Sequence, residues 1–304
     1  MNKKISVILP AFNSEKYISE SISSILRQSY ENFELIIIDD GSTDNTSKIC
    51  LDFSKIDNRI LFVKNLHRGL TKTLNYALNI SSGTFIARQD ADDISLPNRF
   101  EKQLKWFSTS DKKVLCGTNC KIVSDDGKIR LNTAIRYRNS EIRKKLTYSN
   151  CFVHSSTMFL KEEAKKIGFY DENLKYAQDY DLWWKLSTKG EVGNLREKLL
   201  ILRDREMSVS KQYTSQQTSS FIKSCLKYYA YKKNVVQIKD NKDIEFYENN
   251  SLTKDKTVLM KYFYNDKLDK KIYLKNLNLK QVFKLFLYPV LLIRKVIKSI
   301  KSSQ

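Results

Sequence analysis

The first hundred residues alternate apolar runs of strand length with segments whose apolar residues recur at helical spacing, and this alternation admits few folds. Ile5-Ser6-Val7-Ile8-Leu9-Pro10 and Phe33-Glu34-Leu35-Ile36-Ile37-Ile38 are near-continuous apolar runs, as strands buried on both faces require. Pro10 closes the first, because it has no N–H with which to continue a ladder. Arg59-Ile60-Leu61-Phe62-Val63 and Thr84-Phe85-Ile86-Ala87-Arg88 predict a third and a fourth strand. Between the strands, Ile18, Ile22, Ile25 and Leu26 mark a helix capped from Asn13-Ser14-Glu15. A second helix opens at Thr43-Asp44-Asn45-Thr46, a third covers 71–79, and a fourth starts at Leu96-Pro97 and runs through Phe107. The order predicts an α/β fold: a doubly wound, Rossmann-like, mostly parallel sheet with helices on both faces.

In such sheets ligands sit beyond the carboxyl ends of the strands. Here those ends carry Pro10-Ala11, Asp39-Asp40-Gly41-Ser42, Arg68 and Gln89-Asp90-Ala91-Asp92-Asp93. Asp90 and Asp92, two residues apart just past a buried strand, can face one divalent cation. Carboxylate oxygens are hard ligands and select magnesium or manganese over zinc. Such an ion bridges the phosphates of a nucleoside diphosphate and stabilises charge on it as it leaves. Asp93 is placed to cap the following helix. A carboxylate at Asp39 or Asp40 suits hydrogen bonds to a base or ribose, and equally suits an Asx turn before the helix at Thr46. Only two His are present, which excludes a His-based metal site. The five Cys are odd in number and none forms a C-x-x-C pair, so neither a zinc nor a disulfide framework is indicated and a reducing compartment is expected.

Beyond residue 110 the pattern is mixed. Val114-Leu115-Cys116-Gly117 and Lys121-Ile122-Val123 predict strands, Asp125-Asp126-Gly127 a turn, Ser156-Thr157-Met158-Phe159-Leu160 another strand, and 180–187 a helix rich in large apolar residues. From Gln212 onward the chain reads as helical and rich in Lys and Tyr. The expected organisation is an α/β domain over 1–210, with a nucleotide half at about 1–110 and an acceptor half at about 111–210, followed by a helical basic extension over 211–304.

The ordered blocks Ile5 to Phe12, Asp39-Asp40-Gly41-Ser42-Thr43-Asp44, Gln89-Asp90-Ala91-Asp92-Asp93 and Leu96-Pro97-Asn98-Arg99 resemble the family 2 glycosyltransferases and their GT-A fold. The resemblance extends over roughly residues 4 to 210. It implies an inverting, metal-dependent glycosyltransferase with Mg2+ or Mn2+ as cofactor, a nucleotide-sugar donor and a glycan or lipid-linked acceptor, working in cell-surface polysaccharide synthesis. Position by position it implies that Pro10 and Ala11 contact the nucleotide, Asp40 and Asp39 the base, and Asp90 the ribose region. Arg68 approaches the nucleotide from the loop after the third strand, and Asp92 holds the metal.

Inverting transfer needs one general base for the acceptor hydroxyl and no acid for the leaving group. Asp179, in Gln178-Asp179-Tyr180-Asp181-Leu182-Trp183, is the candidate, at a helix start whose dipole favours its ionised form. Gln178 stands where the family usually has Glu; Asp181 is expected to brace the helix. His154 matches a family segment near acceptor and diphosphate. Arg203-Asp204-Arg205 falls where the family often has Arg-x-His, so Arg205 replaces that His and offers a phosphate clasp, with a salt bridge to Glu206 as the local alternative. Trp183 or Trp184 offers a face to a sugar, with at least one of the two in the core.

The formal net charge is +20 and is uneven: residues 211–304 hold 20 Lys+Arg against 7 Asp+Glu. Within them the apolar stretch 282–293 leads into a segment alternating cations with aliphatics, too short to span a bilayer and suited to its interface. No signal peptide and no membrane span is expected, which places the protein in the cytoplasm, peripheral on the inner face of the membrane through 282–301. Two other readings compete. A nucleotidyltransferase needs a Gly-rich basic loop after the first strand, and Ala11-Phe12-Asn13-Ser14-Glu15 is not one. A nucleic-acid-binding protein would use the net charge and Tyr228-Tyr229-Ala230-Tyr231, but leaves the acidic strand ends without a purpose; no nucleic-acid partner is expected.

Overall fold

The computed structural model describes residues 3–124, 128–130, 135–146, 149–174, 176–205, 220, 221 and 224. All lie in the first of the two units into which the chain divides, Met1–Gln237. The expected turn at 125–127 and nearly all of the extension after 211, including 282–301, lie outside the described residues.

The four predicted strands form: β1 (Ile5–Ala11), β2 (Phe33–Asp39), β3 (Ile60–Lys64) and β4 (Phe85–Arg88). Helices α1 (Ile18–Leu26), α2 (Thr46–Ile56) and α3 (Leu70–Ile80) connect them. β5 (Ile94–Ser95) and α4 (Arg99–Phe107) follow. The two strands expected after residue 113 are one, β6 (Lys113–Ser124), paired antiparallel with β7 (Ile129–Arg130). Then come α5 (Asn139–Lys145), a 3-10 turn (His154–Ser156), β8 (Met158–Leu160), α6 (Lys161–Lys166), α7 (Gln178–Lys189) and β9 (Glu191–Asp204).

The strands form one sheet in the order β3-β2-β1-β4-β8-β6-β9-β5. The β3-β2-β1-β4 half is entirely parallel, as expected. Past it the sheet is mixed: β8 is antiparallel to both β4 and β6, and β6 and β9 run parallel. Successive side chains of a strand face opposite ways. Accordingly Val7, Leu9, Leu35 and Ile37 pack with Ile18, Ile22 and Ile25 of α1 and Phe100 of α4. Ile8, Ile36 and Ile38 pack on the other face with Leu74 and Leu78 of α3 and Trp183 and Leu186 of α7. Each such buried side chain contributes roughly 1.5–3 kcal/mol of transfer free energy. With both faces covered, the sheet can present ligands only at its ends.

Candidate active site

Parallel pairing sets Ala11 opposite Asp39, Asp39 opposite Lys64 and Ile8 opposite Arg88, so the strand ends share one edge. The loops after β1 and β2 are laced there: Asp40 N–H donates to Ala11 O at 2.8 Å and Thr43 N–H to Asn13 Oδ1 at 2.9 Å. Pro10 and Ala11 are buried beneath them. Gly41 has φ +81°, and a Cβ on it would come within 2.8 Å of the His67 backbone nitrogen, so the turn brings two loops too close for a side chain.

Asp39 and Asp40 were expected to offer acceptors to a base, and in this conformation both spend them within the protein. Asp39 accepts from Ser42 N–H at 3.0 Å, from the Ser42 hydroxyl at 2.5 Å and from the Ser47 hydroxyl. Asp40 accepts Arg68 N–H at 2.9 Å, Gly69 N–H at 2.9 Å and the Thr73 hydroxyl at 2.8 Å, and lies 2.9 Å from His67 Nδ1. Asp40 thus fixes the backbone that carries Arg68, whose exposed guanidinium lies 6.0 Å from the Tyr76 ring centre. Beside it the exposed Phe12 ring tilts against His67 at 4.6 Å.

The Asp90 loop rests on a buried polar framework. Arg88 is 1% exposed, and its Nη2 donates to Asp90 Oδ1 at 2.6 Å. Asp90 N–H donates to Ser155 Oγ at 2.8 Å, and Asp90 O accepts the Ser21 hydroxyl at 2.8 Å. Arg99, fully buried, donates to Ser155 O at 2.6 Å and Arg88 O at 3.1 Å. Gln89 Nε2 donates to Asp93 O at 2.7 Å. Asp93, expected as a helix cap, instead reaches inward: its Oδ1 accepts Arg203 N–H at 3.0 Å, tying the end of β9 to the acidic loop. Burial, with Asp90 and Asp92 nearby, pushes the Asp93 carboxyl well above the ordinary carboxylate range.

Asp92 pairs with Arg205, the residue expected at a diphosphate. Burial and then Asp90 raise the Asp92 carboxyl, against Arg205 and Arg88. The other arginine, Arg203, pairs with Glu20. Both guanidiniums lie over the ring of Tyr17, at 4.9 Å for Arg203 and 5.3 Å for Arg205.

Asp179 is half-buried in the first turn of α7, and its Oδ2 accepts from Asn150 Nδ2 at 2.9 Å. The amide orientation is set by the other end of Asn150, whose Oδ1 accepts Phe152 N–H at 3.0 Å. The helix start was expected to favour the ionised carboxylate, but burial prevails: it raises Asp179 above its ordinary value despite hydrogen bonds from Tyr180 N–H and Asn150, and Asp90 adds to the rise. Asp181 braces the helix as expected, 2.5 Å from Lys185.

His154 is half-buried, with Nε2 2.8 Å from the Tyr170 hydroxyl. Burial and Arg88 hold it well below the ordinary imidazole range, so the ring is neutral at pH 7. Trp183 is a correction. It is 0% exposed, its ring packs edge-on against His154 at 5.8 Å and Phe159 at 5.8 Å, and it cannot offer a face to a sugar. It is the floor under His154. Sequence reasoning missed Tyr17, Arg88, Asn150, Ser155 and Tyr170; only the Arg88 charge closing an apolar strand was a local signal.

The chain matches the family model described as glycosyl transferase family 2 over residues 6–168. It is 34% identical over 228 residues to an uncharacterized glycosyltransferase of Haemophilus influenzae, covering 71% of this chain and 70% of that protein. It is 34% identical over 212 residues to the O-antigen biosynthesis glycosyltransferase WbnJ of Escherichia coli, covering 68% and 82%. Among solved structures, S. aureus TarS 1-349 in complex with UDP-GlcNAc shares the fold with TM-score 0.64 at 18% identity, over 88% of this chain and 77% of that one. The mannosyltransferase PcManGT of Pyrobaculum calidifontis, in complex with GDP-Man and Mn2+, aligns with TM-score 0.55 at 16% identity, over 90% and 79%. The chain therefore belongs to glycosyl transferase family 2.

Proposed function

We propose that this glycosyltransferase is inverting and metal-dependent, and moves a sugar from a nucleoside-diphosphate donor to a glycan or lipid-linked acceptor in the synthesis of a cell-surface polysaccharide. The observation that carries the reading is the half-buried carboxylate of Asp179, held by Asn150 at the start of α7. The O-antigen role in the name of WbnJ supports the pathway class, and the nucleotide sugars bound to TarS and PcManGT support the donor class.

The donor set fits a hard divalent cation. Among the described residues no three His, Cys, Asp or Glu side chains form a cage. Asp92, with Asp90 beside it, would hold an ion that keeps water and takes diphosphate oxygens, which is the habit of magnesium and manganese. When bound, such an ion stabilises charge on the departing diphosphate. The chain's own part follows. Asp179 accepts the proton of the acceptor hydroxyl as its oxygen attacks the anomeric carbon. The bond from that carbon to the phosphate oxygen breaks on the opposite side, its electron pair leaves with the nucleoside diphosphate, and the configuration inverts. Arg68 and Arg205 clasp phosphate. Pro10 and Ala11 line the nucleotide's end of β1, Asp39 and Asp40 shape the loops around its base, and neutral His154 adjoins diphosphate and acceptor.

Residues 211–304 form the basic extension, and 282–301 bind the cytoplasmic face of the membrane, where a lipid-linked acceptor resides. The charge pattern supports this, and no helix among the described residues is long and apolar enough to cross a membrane. The test is a panel of nucleotide sugars with manganese or magnesium, assayed for transfer. Asp179→Asn should retain donor binding and stop transfer; normal turnover by that variant overturns the base assignment.

A further inference from the structure

We infer that Arg205 is an exchangeable counter-cation: it occupies Asp92 while the donor site is empty, and passes to the diphosphate when a divalent cation takes its place on that carboxylate. This rests on the donor-site reading above.

Asp90 and Asp92 are each paired with an arginine, Arg88 and Arg205, without any ion. Arg88 and Arg99 are buried and locked by hydrogen bonds to the loop's own backbone and to Ser155. Arg205 differs in place and bonding. It lies one residue beyond the end of β9, its side chain is 28% exposed, and its ion pair is to the carboxylate expected to hold the metal. A divalent ion cannot join Asp92 without displacing the guanidinium or facing its charge.

The release is built into the surroundings. Arg203 N–H is fixed to Asp93 Oδ1 at 3.0 Å, so the backbone two residues before Arg205 is anchored. Residues two apart in an extended segment face the same side. Arg203 and Arg205 both lie over Tyr17, which provides an aromatic surface along which a guanidinium can move. Arg203 is retained by Glu20, so Arg205 is the one joined to the acidic loop. Arg205 also has spare donors: its Nε is buried and has no hydrogen-bond partner among the described residues. A guanidinium can use two donors on a phosphate.

The consequence is obligate synergy. A divalent ion arriving alone places excess positive charge beside Arg205, whereas one arriving with a nucleoside diphosphate gives Arg205 a new anion. Manganese binding to the full chain, read from the free-ion electron paramagnetic resonance signal, tests this with manganese alone and with manganese plus UDP or GDP. Wild type should bind manganese weakly alone and much more tightly with nucleotide. Arg205→Gln should bind manganese alone about tenfold more tightly and lose most of the nucleotide enhancement, within the usual range of site–site coupling. Arg205→Lys, which keeps the charge, should bind manganese alone as weakly as wild type. If Arg205→Gln binds manganese alone no better than wild type while Asp92→Asn abolishes binding with nucleotide, the exchange is wrong and the donor site stands. If Asp92→Asn binds manganese with nucleotide as wild type does, the donor-site reading itself falls.

Discussion

Asn150 is placed to control the protonation of the proposed base, and its removal has a signed consequence. Its Nδ2 donates to Asp179 Oδ2 at 2.9 Å, a bond that favours the ionised carboxylate. A hydrogen bond to a charged group is worth about 1.5–3 kcal/mol. Asp179 is half-buried, so water replaces part of what Asn150→Ala removes, and the low end applies. About 1.4 kcal/mol is a tenfold change in a proton equilibrium. Burial already holds Asp179 above its ordinary value, and loss of the donor moves it further in the same direction. The base works only when ionised. Transfer by Asn150→Ala should therefore fall about tenfold at any pH on the acid limb, with the limb displaced to higher pH and the alkaline plateau near wild type. The assay is initial transfer rate against pH at saturating donor and acceptor. Asn150→Asp keeps an acceptor for Phe152 N–H and sets a second carboxylate against Asp179, so its limb should move further still. An unmoved limb, or an equal loss at every pH, would refute control of protonation by Asn150.

Asp40→Asn replaces one carboxylate acceptor with an NH2 donor facing the donors Arg68 N–H, Gly69 N–H and Thr73 Oγ1, stranding at least one of them. It should cost about 1–3 kcal/mol in thermal unfolding and weaken nucleotide binding by calorimetry, because the Arg68 loop loses its anchor. Gly117→Ala drives a Cβ into Asn194 Oδ1 and to 2.8 Å from Phe152 Cδ1. Overpacking there should cost about 1–3 kcal/mol, read as a lowered Tm with donor binding intact. Deleting 282–304 should release the protein from anionic vesicles in a sedimentation assay; unchanged partitioning would defeat the membrane proposal.

The parallel half of the sheet was legible because its evidence is local. β1 and β2 are apolar runs that need no partner to be recognised, and α1 and α3 carry their apolar stripes in sequence. β9 was not legible. Asn194, Arg196, Glu197 and Lys198 interrupt its pattern, and register shifts near Thr118 to Cys120 place irregularities in its pairing with β6. What keeps it a strand is distant: the β6 ladder and the Asp93 carboxylate under Arg203. The site divides in the same way. Asp90, Asp92 and Asp179 could be named as acids at element ends, but Arg205 on Asp92 and Asn150 on Asp179 come from elsewhere in the fold. Arg99 is a charged side chain with no exposure, which no local pattern forecasts. Trp183 was misplaced for the opposite reason: an aromatic beside a proposed base reads as a platform, and only packing shows that α7 turns it into the core.

The junction at β4 has a consequence for how such chains diversify. β4 pairs parallel with β1 on one side and antiparallel with β8 on the other. Asp39, Asp40, Arg68, Asp90 and Asp92 all precede β6 in sequence, whereas His154 and Asp179 follow it. A recombination crossover between α4 and β6 would splice a foreign second half onto the parallel half of this sheet. The graft would have to reproduce the short β4–β8 ladder, the contact of Ser155 with Asp90, and the pairing of Arg205 with Asp92. Those three connections are what any exchange of the chain beyond α4 must preserve if the acidic loop is to keep its place.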